Sequence, residues 1–201
     1  MKRGMSRRDF LQSSVLTTAG ATVAGAAPAI LAHAGAEADA TAAGPGPVPI
    51  ELTVNGAVRA LQVEPRTTLA ETLRGPLGLS GTKIACNRGA CSACTVLLDG
   101  LPVCSCMVLA IDVGPRRVTT IEGLARGEVL HPLQAAFIEH DALQCGFCTP
   151  GMLLSGAALL EHMRDPDAAD VRNAISGHVC RCGTYPHVVA ATLAVAKARR
   201  A

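Results

Sequence analysis

Cys86-Asn-Arg-Gly-Ala-Cys91-Ser-Ala-Cys94-Thr-Val-Leu-Leu98 sets three thiols on a glycine-containing loop and runs them straight into a short apolar stretch. Upstream, residues 49–63 form two alternating runs around Asn55-Gly56. Both positions of that dipeptide tolerate positive φ, which signals a hairpin. Thr68-Leu-Ala-Glu71 has the form of a capping box and predicts a short helix ending near Gly75-Pro76. Downstream, residues 95–98, the pair Asp99-Gly100 and residues 101–109 read as a second hairpin, and 117–121 as a further strand. Strand–strand–helix–loop–strand–strand on this scale predicts a small α+β domain built around the cysteine loop.

From His131 the apolar period changes from that of strands to that of helices. Residues 132–143 are a first helix candidate. Thr149-Pro150 starts a second, with Thr at the N-cap and Pro in the first turn, running to residue 163. Residues 168–175 and 188–198 are a third and a fourth. Cys145 and Cys148 precede the second helix, and Cys180 and Cys182 precede the last. The expectation is an all-helical domain with a metal site at its interhelical loops.

The chain has nine cysteines. Cys86, Cys91 and Cys94 with a fourth thiol at Cys104 or Cys106 have the spacing by which plant-type 2Fe-2S sites hold two irons. Cys145-Gly-Phe-Cys148 and Cys180-Arg-Cys182 form a second set. Such clusters need backbone N–H groups close to sulfur, and Gly89, Ala90 and Ala93 leave room for that approach. Disulfides compete with this reading in an oxidising compartment, but tight Cys-x-x-Cys and Cys-x-Cys pairs are poor cross-links and nine is an odd number. Structural zinc on four thiolates also fits the spacings. Spacing leaves the fourth ligand of the first set open, since on one strand Cys104 and Cys106 would face the same way. The thiol left over is expected to be packing. His178 and His187 flank the last cysteine pair, and with eight thiols available they are expected to pack or to face solvent. Arg181, between two thiolates, is placed to offset cluster charge.

At the N-terminus, Ser6-Arg7-Arg8-Asp9-Phe10-Leu11 puts a twin arginine before a stretch without Asp, Glu, Lys or Arg that ends at Ala32-His33-Ala34. A basic start, an apolar middle and an A-x-A end predict a removable export signal over residues 1–34. The arginine pair points to the Tat route and a periplasmic destination. Gln12, Ser13, Ser14, Thr17, Thr18 and Gly20 interrupt the ~20 apolar residues that an anchor needs, so stable membrane insertion is not expected. Ala36-Glu37-Ala38 offers a second cleavage point, and residues 35–47, rich in Ala, Gly and Pro, read as a linker. The chain carries 18 basic and 16 acidic residues; without Lys2, Arg3, Arg7, Arg8 and Asp9, 14 face 15, a net charge of −1. That balance gives no electrostatic case for nucleic acid. With no Trp, one Tyr and three Phe, aromatic burial is scarce, and small domains of this kind rely on metals or disulfides as staples.

Taken together, the motifs resemble the small iron–sulfur subunit of the xanthine dehydrogenase and aldehyde oxidoreductase family of molybdenum hydroxylases. The resemblance is carried by residues 86–96, Ser105-Cys106, Thr120-Ile-Glu-Gly-Leu124, Gln144-Cys-Gly-Phe-Cys-Thr-Pro-Gly-Met152 and Cys180-Arg-Cys182-Gly, and spans nearly all of residues 48–200. It implies an α+β fold in which an N-terminal β-grasp ferredoxin-like 2Fe-2S domain (48–124) is followed by an all-α helical-bundle 2Fe-2S domain (125–201). The family pattern selects Cys106 over Cys104. The implied ligands are then Cys86, Cys91, Cys94 and Cys106 for the first cluster, and Cys145, Cys148, Cys180 and Cys182 for the second. Ser92 stands where the family usually has Gly, a change able to shift the potential without removing the cluster. The implied role is electron transfer. A separate large subunit binds the molybdenum–pterin cofactor and oxidises the substrate with water as oxygen source. The helical-domain cluster receives electrons first, and the other cluster passes them to FAD on a flavin subunit, or to a cytochrome. Gln144 matches a position that contacts the pterin. No catalytic residue for the substrate reaction is expected in this chain. The twin arginine and Cys182-Gly-Thr-Tyr resemble exported, aldehyde-oxidising members.

Overall fold

The computed structural model describes residues 46–200, so the expected signal over 1–34 and nearly all of the linker lie outside the described residues. The Asn55-Gly56 hairpin forms as expected. β1 (Val48–Val54) and β2 (Ala57–Val63) pair antiparallel with Val54 opposite Ala57. The turn residues take φ of 51° and 79°, as a tight primed turn requires. The capping box at Thr68 and Glu71 is made in both directions and starts α1 (Leu69–Arg74). β3 (Thr95–Leu98) and β4 (Leu101–Cys104) pair antiparallel across Asp99-Gly100. β5 (Arg117–Thr119) runs parallel to β1 and antiparallel to β3, which closes a mixed sheet in the order β2-β1-β5-β3-β4. Leu69 and Leu73 of α1 pack on Leu52, Val54, Val96, Leu98 and Val118 of the sheet.

Two strands are shorter than their patterns predict. The stretch 101–109 leaves the sheet after Cys104, because Ser105 turns inward: its N–H and hydroxyl both donate to the Cys94 carbonyl, at 3.3 and 2.6 Å. Cys104 therefore sits on β4 and Cys106 in a 3₁₀ turn (Ser105–Met107), so the two thiols do not share one strand. The strand expected over 117–121 gives way to another 3₁₀ turn at Ile121–Gly123. That turn is part of a clasp. The Asn55 side chain accepts the Thr120 N–H and donates to Thr120 Oγ1, both at 2.9 Å, and Thr120 donates to Glu122 at 2.6 Å. Glu122 in turn accepts the Gly81 N–H at 2.8 Å, which ties down the start of the cysteine loop. A Cβ at Gly123 would collide with the Asn55 side chain, and one at Gly81 with Ile121.

The second half is helical: α2 (Pro132–Glu139), α3 (Thr149–His162), α4 (Ala168–Ala174) and α5 (Tyr185–Ala198). α2 stops short of residue 143, where Asp141 turns to φ 49° and the Ala142 N–H reaches back to the Phe137 carbonyl at 2.9 Å. α3 starts one position away from expectation: Cys148, not Thr149, is its N-cap. An Asp167–Asp170 capping box starts α4. α5 starts at Tyr185, earlier than residue 188, with Pro186 tolerated in its first turn. Leu133, Phe137, Met152, Ile175 and Val188 are among the residues that fill the helical core.

β3 joins the halves. All four of its residues are buried, which accounts for an apolar run without alternation. Val96 and Leu98 face the α1 core, while Leu97 packs with Leu154 and Ala158 of α3. Burying one such leucine fully is worth about 1.5–3 kcal/mol. The described residues accordingly lie within one compact unit, Ala43–Ala201. Among them no helix is long and apolar enough to cross a membrane.

Candidate metal centres

The loop after Gly81 reverses sharply because Asn87, Gly89 and Ser92 take φ of 50°, 71° and 52°. Alternating the backbone in this way gathers N–H groups on one side, which suits anionic sulfur. The Gly89 N–H donates to Cys106 Sγ and the Ala90 N–H to Cys86 Sγ, both at 3.3 Å. Glycine is required at 89, where a Cβ would stand 2.9 Å from Met107 Cγ. The N–H groups of Arg88, Ala90 and Cys91, together with the Cys91 thiol, bring the Cys86 thiol down to about 7. Cys94 is the opposite case, pushed up to about 12 by burial and by the thiol of Cys106 beside it. The four thiols thus stand as two pairs, Cys86 with Cys91 and Cys94 with Cys106. Cys104 lies alongside, its Sγ 3.7 Å from Ser92 Oγ and 4.0 Å from the Gly89 carbonyl.

The second set repeats this arrangement on helical supports. Gly146 and Gly183, at φ 79° and 75°, turn the two short loops. Burial and the thiol of Cys180 push Cys148 up to about 12. Burial also acts to raise Cys180, but the Thr184 hydroxyl at 3.4 Å, the backbone N–H groups of Thr184 and Gly183, and the Cys148 thiol outweigh it and bring Cys180 down to about 7. The Phe147 N–H and the neighbouring Cys182 thiol lower Cys145. The pairs here are Cys148 with Cys180 and Cys145 with Cys182.

All nine thiols are free. Two thiolates per metal, in two pairs, is the donor arrangement of a two-iron cluster. Both donor sets, with N–H groups already facing sulfur, therefore fit 2Fe-2S ligation.

Cys145 is exposed, as is Gln144 beside it, and Phe147 and Leu143 form an exposed apolar rim next to them. Arg181 is exposed. His187 contacts the His140 carbonyl through Nδ1 at 2.9 Å. His178 is buried against Thr95 and Ser155. Sequence reasoning gave no role to Tyr185, the only tyrosine. Its hydroxyl accepts the Cys180 N–H at 2.8 Å and donates to the His178 carbonyl at 2.9 Å, so it pins the segment that carries Cys180. Its place in Cys182-Gly-Thr-Tyr was the available signal. The segments that carry the two sets touch, and there the Val179 N–H donates to the Cys91 carbonyl at 3.2 Å.

Comparison with known proteins agrees with this geometry. Residues 52–130 match a 2Fe-2S iron–sulfur cluster binding domain, and residues 120–193 match a second [2Fe-2S] binding domain. The chain is 41% identical to the aldehyde oxidoreductase iron–sulfur-binding subunit PaoA of Escherichia coli, over 93% of this chain and 86% of that one. It is 47% identical to the 6-hydroxypseudooxynicotine dehydrogenase complex subunit beta of Paenarthrobacter nicotinovorans, over 72% and 91%. Among solved structures, quinoline 2-oxidoreductase of Pseudomonas putida 86 superposes with a TM-score of 0.74 at 44% identity, covering 77% of this chain and 97% of the matched one. Aldehyde oxidoreductase of Desulfovibrio desulfuricans gives 0.72 at 42% identity, with 76% of this chain matching only 17% of that one. Paired thiols, two consecutive cluster-binding domains and these relatives lead to one conclusion: the chain belongs to the family of iron–sulfur small subunits of the molybdenum hydroxylases, components of multisubunit oxidoreductases.

Proposed function

We propose that this chain is the electron-transfer subunit of a periplasmic molybdenum hydroxylase that oxidises aldehydes. It carries two clusters, one held by Cys86, Cys91, Cys94 and Cys106 in a ferredoxin-like domain over residues 48–124. The other is held by Cys145, Cys148, Cys180 and Cys182 in a helical domain over 125–201. When bound, each cluster supplies a one-electron carrier. The chain's own residues do the rest. N–H groups at Gly89, Ala90, Gly183 and Thr184 offset negative charge at sulfur. The exposed face of Gln144, Cys145 and Phe147 meets the molybdenum–pterin cofactor of a large partner subunit, and the Cys86 loop passes electrons to FAD on a flavin subunit or to another acceptor. Residues 1–34 direct Tat export.

The observation that carries this reading is the Val179 N–H to Cys91 carbonyl hydrogen bond at 3.2 Å. It places a ligand of one set and the neighbour of a ligand of the other in direct contact, as a relay between two carriers needs. Identity to an aldehyde oxidoreductase subunit supports the substrate class.

Anaerobic purification followed by EPR after dithionite reduction tests the core of the proposal. Two distinct rhombic signals and about four irons per chain are expected; bound zinc without visible absorbance would overturn it. Gln144→Ala should slow reduction of the Cys145 cluster by substrate in the assembled complex, and unchanged kinetics would remove Gln144 from the pterin contact. Replacing Arg7 and Arg8 by Lys should strand the chain in the cytoplasm; undiminished export would refute the Tat assignment.

A further inference from the structure

Among the described residues His178 is the only buried histidine, at 5% exposure, and neither thiol set uses it. Its Nε2 lies 3.3 Å from Thr95 Oγ1 and 3.4 Å from Ser155 Oγ. Thr95 commits its own hydroxyl proton to the Ser92 carbonyl at 2.7 Å, so its oxygen has only lone pairs to offer the imidazole. The proton between them must sit on Nε2, a tautomer assigned from the network. Nδ1 is then an acceptor, buried and without a hydrogen-bond partner, and the backbone carbonyls of Ile175 and Gly151 that also face the ring have no proton to give it. A buried acceptor left without a donor is destabilising and calls for a reason; an apolar side chain would fill the same space without it.

The reason lies in what the ring touches. Thr95 directly follows Cys94. Ser155 belongs to α3, whose N-cap is Cys148. The residue after His178 is Val179, which donates to the Cys91 carbonyl, and the residue after that is Cys180. One ring therefore contacts the elements that carry both thiol sets, at the point where they come together. The packing leaves it no slack: a Cβ at Gly151 would lie 3.0 Å from His178 Cδ2 and Nε2, and one at Gly177 3.0 Å from Ser92 Oγ.

We propose that His178 is a positioning residue that fixes the gap between the two clusters, bracing the Cys91–Cys94 loop and α3 against the Cys180 segment. The proposal rests on the ligand assignment made above. Two reduced clusters interact magnetically across such a gap, and that interaction falls steeply with distance, so it reads the spacing directly. Simple folding support would not move it.

The test uses the full chain, purified in the complex it forms, with His178→Leu and His178→Gln. Leu fills comparable space and makes no hydrogen bond; Gln keeps an amide donor within reach of Thr95 and Ser155. Wild-type iron content with loss of the low-temperature EPR splitting in the Leu variant is expected. Electron arrival at the Cys86 cluster should also slow, and Gln should restore both. If the Leu variant fails to assemble, Thr95→Val removes the same bond from the other side and must give the same loss. Unchanged splitting and unchanged rate would overturn the proposal. So would loss of one cluster with the other intact, which would make His178 part of a single cluster's pocket. A wild-type protein lacking two signals would instead overturn the ligand assignment itself.

Discussion

Two glycines of α3 separate packing from helix propensity. Alanine at either position gains about 1 kcal/mol of propensity in a helix interior, so propensity alone predicts that Gly151→Ala and Gly156→Ala both stabilise. The surroundings differ. A methyl at 151 would stand 2.7 Å from the backbone carbonyl oxygen of Ser92, besides the two close atoms of His178. A methyl at 156 meets a side-chain end, Leu133 Cδ2, at 3.0 Å, and then Thr192 Oγ1 only at 3.5 Å. A side-chain terminus can yield a few tenths of an ångström. The Ser92 carbonyl cannot move without carrying Cys91 and Cys94 with it. Overpacking a tight contact costs about 1–3 kcal/mol, so Gly151→Ala should come out about 1–2 kcal/mol less stable than wild type, and Gly156→Ala close to neutral. Urea unfolding followed by far-ultraviolet circular dichroism, anaerobic and with iron content matched, gives the midpoints. If Gly151→Ala is as stable as Gly156→Ala, the close approach of α3 to the first cysteine loop is not what requires glycine at 151.

Two further outcomes follow from single side chains. Cys104→Ser should retain both EPR signals, because the Cys104 thiol packs beside Cys94 and Cys106 with Ser92 Oγ and the Gly89 carbonyl as its hydrogen-bond partners, whereas Cys106→Ser should lose one; two signals in Cys106→Ser would reverse the assignment of the fourth ligand. The Asp167 carboxylate accepts the N–H groups of Asp170 and Ala169, which lowers its pKa. Its stabilisation of α4 is complete above the ordinary aspartate pKa and is lost as pH falls through the lowered value, so the urea midpoints of wild type and Asp167→Ala should converge in acid. A constant gap at all pH would show that ionisation of the cap contributes nothing.

Legibility in the sequence depended on whether a signal was local. The Asn55-Gly56 turn, the Thr68–Glu71 box and the thiol spacings involve neighbours in the chain, and the structure places β1, β2 and α1 where those signals put them. The misplaced boundaries share another cause. Residues 101–109 alternate well enough for one long strand, but a contact between Ser105 and the Cys94 carbonyl ends it at Cys104. No pattern within 101–109 encodes a bond to residue 94. Asn55 was legible as a turn residue, but its two bonds to Thr120, 65 positions away, were not. The paired arrangement of the thiols likewise needs three dimensions; spacing left zinc open, and the matches to two 2Fe-2S binding domains are what favour iron.

The composition, read in sequence as a weakness, acquires a different sense at the junction. Aromatic residues make up 2% of the chain, and the junction is built instead from Ser92, Gly151 and Gly177. Small residues let backbone meet backbone there, and the Val179 N–H to Cys91 carbonyl bond depends on it. A large side chain at any of these positions would contribute burial but push apart the two loops that hold the thiols. Ser92 shows how narrow the tolerance is. It holds a left-handed φ of 52°, which is unfavourable by roughly 1–2 kcal/mol for a residue with a Cβ. In return its carbonyl accepts the Thr95 hydroxyl at 2.7 Å, and that bond leaves Thr95 as an acceptor for His178. Local strain at 92 and a bare nitrogen at 178 are thus linked through one threonine. Both are unfavourable taken singly, and both are explained if what this junction maintains is a distance.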